Sequence, residues 1–144
     1  MTDYFEFEDT DTRLIWGTPV EQLHEKFGTE KRDQGDRTIY AWGERQILNG
    51  LRLDLTSRYW NFEEEPKDRI FDHLEFWAVG DKDAKEYFNL ISEHLIGKFG
   101  EPSEIDEKYP PDRDWKWNNS GITLSLSFFE QHAYKLCFSI RKTK

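Results

Sequence analysis

A short series of segments occurs twice along this chain, in the same order. Two helical stretches end on the same tripeptide, Lys26-Phe27-Gly28 and Lys98-Phe99-Gly100. Each is followed by a Trp-bearing strand pattern, Ile39-Tyr40-Ala41-Trp42 in one case and Trp115-Lys116-Trp117 in the other. Next comes a glycine-led alternating run, Gly50-Leu51-Arg52-Leu53-Asp54-Leu55 and then Gly121-Ile122-Thr123-Leu124-Ser125-Leu126. A last strand pattern closes each series, Leu74-Glu75-Phe76-Trp77-Ala78 and Leu136-Cys137-Phe138-Ser139-Ile140. No single match carries weight, but the shared order points to an internal duplication, with repeats at about 14–79 and 81–141 inside one domain of 1–144. The offsets between the copies are 72, 71 and 62 residues, so the first copy holds extra residues before its last strand, roughly Arg58 to Ile70.

Start and stop signals define the helices. Thr18-Pro19-Val20-Glu21 fits a capping box with Thr18 as N-cap, Pro19 at N1 and Glu21 at N3. Val20, Leu23 and Phe27 then recur at helical spacing, and Gly28 can close the helix in the left-handed region. The second helix is expected to begin near Asp83, with an apolar stripe of Ala84, Phe88, Ile91, Leu95 and Phe99 ended by Gly100 and Pro102. In the strands, alternation assigns Leu51, Leu53, Leu55, Leu74, Phe76, Ile122, Leu124, Leu126, Phe128, Leu136, Phe138 and Ile140 to the helix side. Arg52, Asp54, His73, Glu75, Trp77, Thr123, Ser125, Ser127, Lys135, Cys137 and Ser139 fall on the other face, which is polar enough to stand in water. The predicted fold is α+β: a duplicated α-β-β-β unit, with a twisted antiparallel sheet of six or more strands and two helices on one face. Tyr4-Phe5-Glu6-Phe7-Glu8 and Leu14-Ile15-Trp16 are candidates for a further edge strand.

The charge balance narrows the partners. Twenty Lys and Arg against 29 Asp and Glu give −9, with a pI near 4.9. The excess lies mainly in the first half, at Asp3, Glu6, Glu8, Asp9, Asp11 and Glu63-Glu64-Glu65. Such a surface repels a phosphate backbone and disfavours nucleic acid, whereas it would steer a basic protein toward it. Serving solubility alone is the plainer role for the same charge. No stretch approaches the roughly 20 apolar residues of a spanning helix, so no membrane association is expected. The single cysteine, Cys137, excludes an internal disulfide framework and is expected to be a buried, inert thiol. The start MTDYFEFED has no basic region followed by an apolar run, so a cytoplasmic protein without a signal peptide is the expectation.

Catalytic signatures are absent from the sequence. There is no glycine-rich phosphate loop, HExxH, CxxC or GxSxG. His73 and Glu75 share a strand face and could ligate a metal, but no third ligand is evident and a solvated pair is the ordinary reading. Asp112-Arg113-Asp114-Trp115-Lys116 superficially suggests a nuclease cluster, yet Pro110-Pro111 makes it a turn entering a strand. The expectation is therefore a non-enzyme with no catalytic residues, no cofactor and no metal.

The aromatic content is more informative. Six Trp, 6 Tyr and 11 Phe make 16% of a chain that is only 36% hydrophobic. Phe27, Phe76, Phe88, Phe99, Phe128 and Phe138 suit the core. Trp77 alternates outward, Tyr59-Trp60 lies in the extra segment, and Trp115 and Trp117 could be buried or displayed. Covering sheet edges would account for them, but Trp and Tyr beside acidic rims are also typical interface anchors. The candidate partner-binding residues are Asp54, Tyr59, Trp60, Glu63, Glu64, Glu65, Glu75 and Trp77. They suggest a protein-binding module for a basic partner, such as an immunity or inhibitor protein; the alternative is a small-ligand or carbohydrate-binding domain using the same aromatics. A homodimer through the open face is a further option.

The twofold succession of helix, Phe-Gly stop, Trp-bearing strand, glycine-led strand and final strand resembles the tandem repeat of the β-lactamase inhibitor protein class. Gly17-Thr18-Pro19-Val20-Glu21-Gln22-Leu23 through Phe27-Gly28 is also similar to the related small lipoproteins of outer-membrane assembly. The pattern covers most of residues 14–141. Those proteins are secreted, many hold disulfides or a lipid-bearing cysteine, and their units usually have two helices; this chain has one clear helix per unit and one cysteine. The resemblance implies a non-catalytic sheet face that docks onto another protein, and it transfers no site residue.

Overall fold

A computed structural model describes residues 3–143. The chain forms two compact units, divided between Glu75 and Phe76. Both are mixed α/β. Strands β3 to β10 form antiparallel sheet, and β1 and β2 make a separate two-stranded ribbon.

In the first unit, β1 (Tyr4–Phe7) pairs with β2 (Thr12–Ile15). Both N-terminal candidate segments are thus strands, but they pair with each other rather than joining a sheet edge. Phe5, Phe7 and Leu14 are buried. Phe7 meets Trp42 edge-on at 5.7 Å, and Trp16 stacks on Phe71 at 4.6 Å. Helix α1 (Val20–Phe27) and strands β3 (Glu30–Asp33), β4 (Arg37–Ile47), β5 (Leu51–Trp60) and β6 (His73–Val79) follow, with neighbouring strands paired in that order; β6 begins in this unit and runs past Glu75 into the second. Val20 seats α1 against Tyr40 and Tyr59. A bulge at Trp42 precedes Gly43, whose φ of +80° a side chain would rarely adopt.

The capping box at α1 does not form. Pro19 is the N-cap, extended at φ −54° and ψ 126°. The Thr18 hydroxyl turns back to donate to the Ile15 carbonyl at 2.7 Å, and the Val20 N–H donates to the Arg69 carbonyl at 2.8 Å. The Thr18 amide also donates to the Ile15 carbonyl, at 3.2 Å, which leaves the Glu21 carboxylate to other bonds. The helix ends as expected on a left-handed Gly28. Phe27 is 36% exposed rather than core, because only the Val20 and Leu23 side of this eight-residue helix is buried.

The second unit holds α2 (Asp81–Phe99) and then β7 (Glu104–Asp106), β8 (Arg113–Asn119), β9 (Ile122–Gln131) and β10 (Ala133–Lys142). The helix starts at Asp81, before the expected Asp83, with Gly80 as N-cap. Ala84, Phe88, Ile91 and Leu95 are buried; Phe99, at the last turn, is half-buried. Trp117 is buried and its Nε1 donates to the Gly100 carbonyl at 2.9 Å, closing the helix end; Trp115 is half-buried and donates to Glu107. Cys137 is half-buried, not buried.

All twelve strand residues assigned to the helix side are buried. The opposite assignment fails at His73, Glu75 and Ser139, which are also buried. Along the chain each helix is followed by four strands rather than three. The added strands, β3 and β7, are exposed throughout and carry little apolar signal. Among the described residues no helix is long and apolar enough to cross a membrane.

Candidate functional site

The connection into the last strand of each helix-and-strand series differs in length. A single residue, His132, links β9 to β10, whereas residues 61–72 link β5 to β6. The strand alternation runs on to the end of β5, so Tyr59 and Trp60 belong to the strand and not to the extra loop. Tyr59 therefore points inward: it is 6% exposed, and its hydroxyl donates to the Ile70 carbonyl at 2.7 Å. Burial pushes its pKa far up. As a displayed anchor Tyr59 is corrected; it fastens the far end of the loop.

Asn61 fastens the near end. Its Nδ2 donates to the Gly35 carbonyl at 2.8 Å and to Asp33 Oδ1 at 3.2 Å. Its Oδ1 accepts from the Thr38 hydroxyl and from Arg69 Nη2, both at 2.7 Å. Arg69, 3% exposed, also donates from Nη1 to the Tyr40 hydroxyl at 3.2 Å. That hydroxyl in turn donates to Glu21 Oε1 at 3.0 Å, and Glu21 is ion-paired with Lys31. Burial raises the pKa of the Tyr40 hydroxyl, against the pull of Arg69. Backbone bonds complete the attachment: Phe71 N–H to the Thr18 carbonyl and Gly17 N–H to the Phe71 carbonyl, each at 2.8 Å.

Between these fixed ends the loop displays its side chains. Phe62 is 77% exposed and Ile70 44%. Glu63, Glu64 and Glu65 are exposed and form no ion pair among the described residues. A short 3-10 turn at Pro66–Asp68 follows them. Trp60 is half-buried, with the guanidiniums of Arg37 and Arg58 at 4.7 and 5.4 Å from its ring and Phe62 at 5.9 Å.

The remaining candidates separate. Glu75 is 3% exposed, with Arg58 Nη2 at 3.5 Å, so it is corrected from a displayed acid to an internal one beside a guanidinium. Asp54 is exposed on β5 and shares the alternation of Trp60, but six residues along a strand place it roughly 20 Å away. Trp77 lies in the second unit, 39% exposed and edge-to-face with Phe129 at 6.3 Å. The acidic N-terminal segment is partly committed as well: the Glu8 carboxylate accepts from the Asn49 and Gly50 amides, and Asp9 pairs with Arg45 at 3.8 Å. Phe62 is the contact that alternation could not assign; the available signal was an apolar residue directly before three glutamates.

The arrangement around His73 orients a ring rather than offering a base. Nδ1 contacts Asp72 Oδ1, while Nε2 accepts the Arg58 backbone N–H at 3.0 Å, so its lone pair is already used. The ring is 4% exposed and packs on Tyr59 at 5.1 Å. No cluster of three or more His, Cys, Asp or Glu side chains among the described residues is placed to hold a metal. Compared with known families, with curated proteins and with solved structures, the chain matches none.

Proposed function

We propose that this chain is a non-enzymatic protein-binding module that docks a basic partner through the loop at residues 61–72. The observation that carries the reading is Phe62, 77% exposed beside three glutamates without ion pairs among the described residues, on a loop pinned at both ends by hydrogen bonds from the buried Tyr59 and Arg69 side chains. An apolar anchor with like charges beside it favours a partner that offers a pocket rimmed by Lys or Arg. An immunity or inhibitor role follows the resemblance to the β-lactamase inhibitor protein class. The helix-then-four-strands order, found twice along the chain, supports the duplicated reading of the fold. The contact set is Trp60, Phe62 and Glu63–Glu65, with Trp77 and Asp54 as separate exposed candidates.

Sugar stacking on the same aromatics has less support. Tyr59 is inside, and two guanidiniums already lie against the Trp60 ring.

The test is capture from native lysate by the immobilised protein, with bound proteins identified by mass spectrometry. A basic protein whose capture weakens as salt rises is expected. Phe62→Ala should then lower its affinity about 30-fold, the effect of a hot spot of about 2 kcal/mol, and the triple change of Glu63, Glu64 and Glu65 to Gln should flatten the salt dependence. Unchanged affinity in both variants removes the loop from the interface.

A further inference from the structure

The second unit contains a cavity of about 370 Å³, open to solvent, between α2 and the sheet. Its floor is aromatic. Phe88 and Phe128 are buried, meeting edge-on at 5.8 Å, and Tyr134 stacks on Phe128 at 5.2 Å. Its rim carries two cations. Lys85 Nζ stands 4.7 Å from the centre of the Tyr134 ring, and the Arg113 guanidinium 5.2 Å from that of Phe88. Neither makes an ion pair among the described residues.

That is an unusual pairing in a chain of net charge −9. The nearby acids have other partners. Asp112 accepts the Glu130 N–H, Asp114 accepts the Ser127 hydroxyl, and Asp81 accepts the Tyr134 N–H. Glu130 lies by the Tyr134 phenol and, as the largest influence, raises its pKa. The acidic side chains are thus engaged around the cavity, while both rim cations are left with only aromatic faces. The Asn89 amide adds a neutral polar group to the same lining.

We propose that this cavity binds a small organic anion: a flat apolar body against Phe88, Phe128 and Tyr134, with one carboxylate or sulfonate between Lys85 and Arg113. The volume falls in the lower part of the range of small-molecule sites. An aromatic floor fits an apolar ring by offset stacking. Two cations without acidic partners supply the charge complementarity that selects an anion over a neutral molecule of the same shape. The proposal is independent of the loop at residues 61–72.

The probe is naphthalene-2-sulfonate, titrated into the isotope-labelled protein and followed by amide chemical shifts. The neutral comparison is 2-naphthalenemethanol. Saturable shifts centred on Lys85, Phe88, Asn89, Arg113, Phe128 and Tyr134 are expected for the sulfonate, with binding at least about fivefold weaker for the alcohol. Lys85→Gln with Arg113→Gln should weaken sulfonate binding about tenfold while leaving affinity for the alcohol unchanged. Shifts that do not saturate, that centre elsewhere, or that are equal for the two probes overturn the proposal. The probe comparison uses the wild-type protein, so it decides the matter even if the double variant folds poorly.

Discussion

Replacing Asn61 by alanine tests whether the displayed loop is held as its hydrogen bonds imply. Asn61 Oδ1 is the shared acceptor of the Thr38 hydroxyl and the Arg69 guanidinium, each at 2.7 Å. Thr38 is 2% exposed and Arg69 3%, so neither readily regains water when that oxygen is removed. A hydrogen bond to a charged group contributes about 1.5–3 kcal/mol, and orphaning a buried hydroxyl costs about 1–3 kcal/mol. Arg69 would keep the Tyr40 hydroxyl at 3.2 Å, but its Nε is already buried without a partner. Together these put the expected loss at about 3 kcal/mol. In urea unfolding followed by tryptophan fluorescence, a slope of about 2 kcal/mol/M makes that a fall of about 1.5 M in midpoint.

A double-mutant cycle isolates the cause. In an Arg69→Met background the buried charge is gone, so Asn61→Ala should cost only about 1 kcal/mol, leaving a coupling of about 2 kcal/mol. If Asn61→Ala lowers the midpoint by less than about 0.5 M, or if the two changes simply add, Asn61 and Arg69 do not anchor the loop. The rigid display of Phe62 then fails with them.

Two further outcomes follow from the same unit. Partial burial pushes the Glu21 carboxyl up, but hydrogen bonds from Lys31 and Tyr40 outweigh it and hold the folded pKa below the ordinary value. A depressed folded pKa stabilises above the unfolded value of about 4.3 and is lost as pH falls through the folded one. Glu21→Gln should therefore flatten the acid side of the stability–pH profile, and an unaltered acid limb would remove this ion pair as a contributor. Phe71 is fully buried with Trp16 stacked on it and Trp42 edge-on at 6.0 Å. Phe71→Ala should cost about 3–5 kcal/mol by urea unfolding and collapse the near-ultraviolet aromatic signal; a loss under about 1 kcal/mol would contradict that packing.

Period-two alternation made the core strands legible because one face of each is buried, and Leu51 to Leu55 and Ile122 to Phe128 fall as the pattern requires. It failed where burial is two-sided. His73 and Glu75 read as an exposed face, yet polar neighbours enclose them: Arg58 beside Glu75, and Asp72 with the Arg58 amide on His73. The capping box failed because the Thr18 hydroxyl and amide both turn back to the Ile15 carbonyl, while the Val20 N–H donates to the carbonyl of Arg69, some fifty positions along the chain. No local pattern contains that partner. The short strands β3 and β7 were illegible for the opposite reason, since nothing in them is buried. The acidic loop was legible as extra length in one of the two similar segment series, but Phe62 and the roles of Tyr59, Asn61 and Arg69 emerge only when the loop ends are brought together.

The chemistry of that fastening bears on what the loop is for. A buried guanidinium is a poor source of net stability, because desolvation offsets most of what its hydrogen bonds return, and an apolar residue of similar volume often serves as well. What it does provide is direction. Asn61 and Arg69 each accept or donate at fixed angles to partners on β3, β4 and the loop itself, whereas an apolar plug would leave the loop free to slide. A loop that only closed a connection would need none of this, as the one-residue turn at His132 illustrates. Fixing residues 61–72 in advance removes ordering entropy that would otherwise oppose association. An exposed phenylalanine costs little when its position is already set and gains most when a partner buries it. On the proposed docking role, the buried polar anchor and the exposed Phe62 act together, and a variant that loosens the first should weaken binding through the second without touching it.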